Sequence, residues 1–299
     1  MYRIGGSHMK QIRAMMIGAH PDDCDFRCGG LALKYAQAGH KVKFLAMCDG
    51  SGGHHVMQPH EIAARRKEET QEVARLAGIE YEVWDVCDCE LMADLDTRKR
   101  LVRTIREFNP DIIFCSRPND YHADHRNASL LVQDASYLLI VPHFCPDAPA
   151  MKKMPVILYY YDHFQNPPFY ADIAIRIDDV IERKFEMLAC HVSQMFEWLP
   201  YTKGRLDSVP EDPAQRLDWL HEPRIPRDGR PLDESILNTN LIGSQSEYRE
   251  AVSAVKYRDK LVERYGYDVG MHTNFAEAFS ICEYGSPLTD ENADILFPF

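Results

Sequence analysis

Ile12-Arg13-Ala14-Met15-Met16-Ile17-Gly18-Ala19-His20-Pro21-Asp22-Asp23 runs from an apolar stretch directly into an imidazole and two carboxylates. The run Ile12 to Gly18 has the length and composition of a buried strand, and α/β sheets keep their chemistry in the loops at strand ends. A strand that closes on His20, Asp22 and Asp23 therefore predicts a polar site at the carboxyl edge of a sheet.

Downstream, as far as about Tyr137, short apolar runs alternate with helical periodicity, the pattern of a parallel sheet. The spacing predicts strands at Ile12–Gly18, Lys41–Met47, Tyr81–Val86 and Asp111–Cys115. Ile62, Val73 and Leu76 form one helical stripe between them, and Leu101, Val102, Ile105 and Phe108 another. Gly29-Gly30 allows a helix start to pack closely on the first strand, and Asn109-Pro110 ends the third helix before the fourth strand. Right-handed strand-helix-strand units of this kind predict an α/β fold: a Rossmann-like, doubly wound, mostly parallel sheet with helices on both faces.

After Tyr137 the pattern changes. Pro142, Pro146, Pro149 and Pro155 predict a stiff connection, followed by strands at Val156–Tyr161 and Asp172–Ile177. A long helix is expected from about Asp178 to Leu199, carried by Ile181, Phe185, Leu188, Val192, Met195 and Leu199. Residues 200–243 read as a long loop or lid, Tyr248–Tyr265 as helix, and Phe275–Glu283 as a tail ending in a Gly-Ser-Pro turn. The chain thus reads as one domain over 10–299, a core at 10–140 with an extension at 141–299. Gly6-Ser7-His8-Met9 resembles a cloning scar ahead of a second start at Met9, which sets residues 1–9 apart.

With 299 residues, 45% of them hydrophobic, the chain can bury a substantial core. A net charge of −12 opposes binding to nucleic acid or an anionic membrane, and no 18-residue apolar run is present. A small-molecule partner and a cytoplasmic location are expected. Nine cysteines, an odd number in a chain of this size, fit reduced thiols. Neither Cys24/Cys28 nor Cys87/Cys89 has the spacing of a zinc knuckle. Tyr159-Tyr160-Tyr161, His163 and Phe164 read either as core or as a wall of the site.

A second polar cluster, Asn119-Asp120-Tyr121-His122-Ala123-Asp124-His125, follows the fourth predicted strand. Loops after separate parallel strands can converge on one crevice. His20, Asp23 and His125 can then supply the His/His/carboxylate set of a catalytic zinc, leaving a fourth position for water. Asp22, beside that water without binding the metal, suits a general base. A charged His122 could stabilise a tetrahedral oxyanion, and Asp124 could fix an imidazole tautomer.

The paired clusters, with Gly29-Gly30 between them, resemble the LmbE-like (PIG-L) family of zinc-dependent de-N-acetylases. The resemblance extends through Asp49-Gly50-Ser51-Gly52, Arg66-Lys67-Glu68-Glu69 to Ala77-Gly78, Asn109-Pro110-Asp111, His191-Val192-Ser193-Gln194 and Ala276–Gly285, and fades over 200–243. It implies metal binding by His20, Asp23 and His125, base duty for Asp22, oxyanion stabilisation by His122, and sugar contacts from Arg66 and Asp88. It also implies a Zn2+ cofactor, with another divalent ion such as Fe2+ compatible. Two positions depart from the family pattern: Cys24 stands where Glu is usual, with Asp25 next to it, and Ala123 replaces a frequent Pro.

The expected function is therefore a metal-dependent amidohydrolase acting on a linear amide C–N bond, which removes the acetyl group from an amino sugar or its conjugate. A homo-oligomer is compatible with the sequence. Hydrolysis of another small amide, such as a thiol conjugate or an antibiotic sugar, is the alternative within the same chemistry. A non-catalytic sugar- or nucleotide-binding module would call for a Gly-x-Gly-x-x-Gly turn, where His-Pro-Asp-Asp stands instead. Metal storage would require a closed coordination shell.

Overall fold

Five apolar runs pair in parallel: β1 (Arg13–Gly18), β2 (Lys41–Ala46), β3 (Glu80–Val83), β4 (Ile112–Cys115) and β5 (Val156–Tyr160). Two more, β6 (Ile173–Arg176) and β7 (Ala276–Ile281), complete a seven-stranded sheet of order β3-β2-β1-β4-β5-β7-β6. The computed structural model describes residues 10–238 and 247–299. Strands buried on both faces must be apolar throughout, and side-chain alternation sorts them into two cores. Met16, Phe44, Phe114 and Leu158 pack with α1 (Asp23–Gln37), α2 (Pro59–Ala77) and α5 (Ile181–Cys190). Met15, Ile17, Leu45 and Ile113 pack on the opposite face with α3 (Leu95–Phe108) and α4 (Ala123–Leu138).

The ends of these helices follow local chemistry. Gln58 and Glu61 form a capping box around the start of α2, with Pro59 in the first turn. The Asp94 carboxylate accepts the Thr97 N–H to open α3, and Asn109, in a left-handed conformation before Pro110, closes it. The six predicted strands are all present, within one residue of their expected limits except β3, which ends at Val83, three residues before the expected Val86.

Several expectations are corrected. Ala276–Ile281 is a strand, inserted antiparallel between β5 and β6. The helix expected over 178–199 breaks at His191, and a π-helical turn, Gln194–Trp198, follows. The apolar stripe runs through the break, so periodicity could not show it; the break is held by Glu69, which accepts both the N–H and the hydroxyl of Ser193 at 2.8 and 2.7 Å. The helix expected over 248–265 is likewise two, Tyr248–Lys256 and Arg258–Tyr265, with Tyr257 between them. The 200–243 segment contains short helical turns, including Arg216–His221, and its end lies outside the described residues.

Gly30 meets the extension rather than the first strand. A Cβ there would lie 2.8 Å from Ile177 Cγ2 and 2.9 Å from Glu277 Oε1. At Cys28 the backbone of α1 leaves helical geometry, which frees the N–H groups of Gly30 and Leu31, and the Glu277 carboxylate accepts both at 2.8 Å. Lys184, completely buried, donates to Glu277 and Glu250 at 2.7 Å each and to the Phe26 carbonyl. Burial opposes the charge on Lys184, but the two carboxylates outweigh it and hold its pKa above the ordinary value.

This network predicts that Lys184→Met, similar in shape but uncharged, leaves two buried carboxylates without a counter-ion. The expected loss is about 3–5 kcal/mol in a urea unfolding experiment. An unchanged midpoint would show that the network does not join the extension to the core.

Candidate metal centre

α1, which leaves β1, and α4, which leaves β4, pack on opposite faces of the sheet, although β1 and β4 are neighbours. Such a switch point opens a crevice beyond the carboxyl ends of the two strands, and both polar clusters open into it. Asp23, the first residue of α1, folds back over the end of β1, where its Oδ2 accepts the N–H groups of Ala19 and His20 at 2.9 Å each. A Cβ on Gly18 would stand 2.6 Å from Asp23 Cβ, so this fold-back requires glycine. His122 precedes α4 and caps it, accepting the Asp124 N–H at Nδ1 over 3.2 Å, which sets His125 in the first turn facing His20.

Hydrogen bonds from behind decide which nitrogen of each ring is turned to the gap between them. His20 Nε2 lies 2.9 Å from Asp88 Oδ1 and 3.1 Å from Asp124 Oδ2. Ionised carboxylates only accept, so Nε2 carries a proton and Nδ1 is the nitrogen turned to the gap, where a bound cation would take the place of any second proton. Asp120 Oδ1, 3.0 Å from His125 Nδ1, likewise places a proton there and turns His125 Nε2 to the gap. These two nitrogens are 3.2 Å apart, and Asp23 Oδ2 lies 3.6 and 3.3 Å from them. Tetrahedral ligands on bonds of about 2.0–2.1 Å stand roughly 3.3–3.4 Å apart, so the three donors fit a zinc-sized ion. The surroundings favour positive charge at this point. Burial lowers the pKa of His20, but Asp124, Asp23 and Asp88 outweigh it and raise it well above the ordinary value. Asp23, although buried, is held far below the usual carboxylate range by His125 and His20.

His20, Asp88, His122 and Asp124 are also close enough together to be considered as a donor set. Asp124, however, already accepts the Cys89 and Leu91 N–H groups as well as His20 Nε2–H. These bonds commit both of its oxygens to the backbone and to orienting the ring.

A family model described as PIG-L, GlcNAc-PI de-N-acetylase, matches residues 15–136, the span that contains both strand-end clusters. Over that span, which is less than half of the chain, the sequence fits the PIG-L, or LmbE-like, family. A curated relative, 4-oxalmesaconate hydratase of Pseudomonas putida, is 24% identical over 204 residues, 66% of this chain and 79% of the relative. Among solved structures, the N,N'-diacetylchitobiose deacetylase of Pyrococcus horikoshii is 23% identical with a TM-score of 0.63, covering 91% of this chain and 84% of its own. The 4-carboxy-2-hydroxymuconate hydratase of Pseudomonas putida is 19% identical with a TM-score of 0.62, covering 94% and 99%. At these identities the structural likeness carries the fold and not the reaction.

The family core presents further groups to a cleft of about 510 Å³ lined by His20, Asp22, Asp23, His122 and His125. Asp22 sits at φ 132°, a strained value for a residue with a Cβ. Its N–H donates to Tyr81 Oη at 3.1 Å, and Arg66 Nη2 stands 3.4 Å from its Oδ1. Burial pushes the Asp22 carboxyl up to about 6, against the pull of Arg66. His122 departs from the expectation of a charged group, because burial, and then His20 and His125, lower its pKa. Since its Nδ1 accepts the Asp124 N–H, its proton sits on Nε2, and the neutral ring is a hydrogen-bond donor.

Arg66 and Asp88 both line the cleft. Arg66 also braces it, donating to the Pro21 and Gly50 carbonyls, and Asp88 accepts the Gly52 N–H at 3.2 Å. Tyr159, Tyr160 and Tyr161 are not among the cleft's lining residues. Tyr160 is core, its hydroxyl bonded to the Ile17 and Phe114 carbonyls, and Phe26, Tyr121 and Trp198 supply the aromatic walls. Among the described residues no helix is long and apolar enough to cross a membrane, and all nine cysteines are free thiols.

Sequence reasoning gave Asp120 no role, although it is a carboxylate inside the second cluster. It also missed the chain behind Asp22: Tyr81 Oη donates to Asp25 Oδ2 at 2.9 Å, and Asp25 Oδ1 lies 3.2 Å from His191 Nε2, all buried. Asp25 therefore supplies a buried carboxylate next to the position where the family usually has Glu. Cys24 turns away towards Tyr160 Oη, 3.7 Å off.

Removing the Asp120 carboxylate should release the His125 tautomer. For Asp120→Asn we expect zinc affinity, measured by competition with a chelating dye, to fall by about 10- to 100-fold. Unchanged affinity would remove Asp120 from the support of the site.

Proposed function

We propose that this protein is a metal-dependent amidohydrolase that removes the acetyl group from an N-acetylated amino sugar or its conjugate. The observation that carries the reading is the convergence of two imidazole nitrogens and a carboxylate oxygen, 3.2–3.6 Å apart, beside a carboxyl of raised pKa and a neutral imidazole donor. His20 Nδ1, His125 Nε2 and Asp23 Oδ2 would hold a divalent ion, zinc or a similar metal such as Fe2+. A divalent cation there supplies Lewis acidity, lowering the pKa of a water towards about 7 and polarising the amide carbonyl.

The remaining steps belong to the chain's own groups. Asp22 takes the proton of the attacking water, the C–O bond forms, and His122 Nε2–H donates to the oxygen of the tetrahedral carbon. As the C–N bond breaks, Asp22 returns its proton to the leaving nitrogen, so amide and water give amine and acetate. A carboxyl near 6 is well matched to both halves of this transfer at neutral pH. Asp124 and Asp88 orient His20, and Arg66 fixes the Pro21 carbonyl next to the base. The family description and the likeness to a chitobiose deacetylase support the acyl-transfer reading.

A second reading is supported by one observation: the alignment with 4-oxalmesaconate hydratase spans 204 residues, well beyond the matched core of 15–136. In that chemistry the base Asp22 would take the proton of a water adding to a carbon–carbon double bond. Acetate release from a panel of N-acetyl sugars, run beside the loss of ultraviolet absorbance of an unsaturated oxo-tricarboxylate, separates the two. We expect acetate release. Hydration alone would replace the first reading by the second.

Two further outcomes are expected. Chelation should abolish turnover and added metal should restore it, whereas full activity in verified metal-free protein would contradict the mechanism. Asp22→Asn should retain metal but lose about two to four orders of magnitude in kcat, the usual scale for a positioned base.

A further inference from the structure

Other arginines held inside this protein have carbonyl or carboxylate partners. Arg106 donates to six backbone carbonyls, and Arg117 grips Asp162 with two bonds of 2.6 Å. Two that line the cleft are less engaged. Arg249, in the first turn of the Tyr248–Lys256 helix, lies over the Phe26 ring at 4.7 Å and makes no hydrogen bond or ion pair among the described residues. Arg27, beside Phe26 and one turn beyond Asp23 on α1, makes a single hydrogen bond, from Nη1 to the Tyr161 carbonyl at 2.9 Å, and no ion pair.

This arrangement contrasts with that of the acidic residues in the cleft. There Asp22, Asp23 and Asp88 are matched by Arg66, His125 and His20. In a chain of net charge −12, carboxylates are plentiful, yet among the described residues none stands within ion-pair distance of Arg27 or Arg249, Glu250 and Asp23 acting on Arg249 only from further off. A guanidinium offers five N–H donors in a planar fork that matches a carboxylate or phosphate, and leaving most of them unpaired in a partly buried wall is unfavourable unless a ligand completes them. The two cations also repel each other: burial, and next to it Arg27, lower the pKa of Arg249 to about 10. An anion between them would relieve that repulsion.

We propose that Arg27 and Arg249 form a subsite for an anionic group of the substrate, a carboxylate or a phosphate, carried on the part of the molecule away from the reacting bond. The inference rests on the reading of this cleft as the active site and narrows its substrate class. A neutral N-acetyl sugar would leave the cationic wall unmatched. An N-acetyl sugar phosphate or an N-acetyl sugar acid would complete it.

The test uses the whole metal-loaded protein and the variants Arg27→Gln and Arg249→Gln, with far-ultraviolet circular dichroism and thermal midpoint to verify that each is folded. Binding of malonate and of inorganic phosphate is measured by calorimetry at two salt concentrations. We expect each variant to weaken binding by about 10- to 100-fold, the scale of a charge-assisted bidentate contact, and added salt to weaken wild-type binding further. Whichever anion the substitutions weaken more identifies the group. Binding equal to wild type in both folded variants would place the anion on the metal and overturn the proposal.

Acetate release from N-acetylglucosamine, its 6-phosphate and N-acetylmuramic acid distinguishes the two layers of the argument. Preference for a charged member, reduced in the variants, supports the subsite. Equal turnover of neutral and charged members overturns the subsite and leaves the deacetylase reading standing. No acetate from any member, with anion binding still dependent on Arg27 and Arg249, overturns the deacetylase reading and leaves the subsite standing.

Discussion

Two imidazole nitrogens, His20 Nδ1 and His125 Nε2, are forced to within 3.2 Å of each other, with a carboxylate oxygen beside both. Here the forcing comes from behind. Asp88 and Asp124 hold the proton of His20 on Nε2, Asp120 holds that of His125 on Nδ1, and Asp23 turns its Oδ2 into the gap. Each of these carboxylates is anchored by backbone N–H groups: Ala19 and His20 on Asp23, Gly52 on Asp88, Cys89 and Leu91 on Asp124, His122 on Asp120. On the proposed reading these groups form a pre-formed hole for a cation, held by four strand-end loops, and Asp22 and His122 act relative to it.

The loops can converge because of the sheet. Placing β1 beside β4, with α1 and α4 on opposite faces, opens the crevice, and the buried tie of Lys184 to Glu250 and Glu277 holds α1 against the extension. Glu277 does double duty as the cap for the resumed helix at Gly30 and Leu31. A shift of α1 would move Asp22 and Asp23 together, so the charged network in the core and the geometry of the metal centre are mechanically one system. The broken helix at His191 serves the same end. Straight, it would carry His191, Ser193 and Gln194 past their partners; broken, it sets them on Asp25, Glu69 and the Gly53 carbonyl.

Much of this was legible in the sequence, for physical reasons. Strands buried on both faces are apolar runs, and a run that ends in His-Pro-Asp-Asp marks the site edge without ambiguity of period. β7 was not legible as a strand, because Glu277 interrupts its apolar run, and only folding brings it the partners Lys184, 93 residues away, and the Gly30 and Leu31 N–H groups. The break at His191 was hidden because Val192 and Met195 continue the apolar stripe through it. Asp120 and Tyr81 act through rings and backbone groups brought close only by folding. The charge state of His122 could not be read from spacing, since it depends on two other histidines converging on the same cleft. The unpaired state of Arg249 belongs to the same class of facts.

The central claim is the position of the ion, and crystallography of the zinc-loaded protein with anomalous scattering at the zinc edge tests it most directly. The account predicts one strong peak about 2.0–2.2 Å from His20 Nδ1, His125 Nε2 and Asp23 Oδ2, with a fourth direction open to the cleft near Asp22. A peak on the other side of the ring, at His20 Nε2 among Asp88, His122 and Asp124, or no peak at full zinc loading, would contradict it.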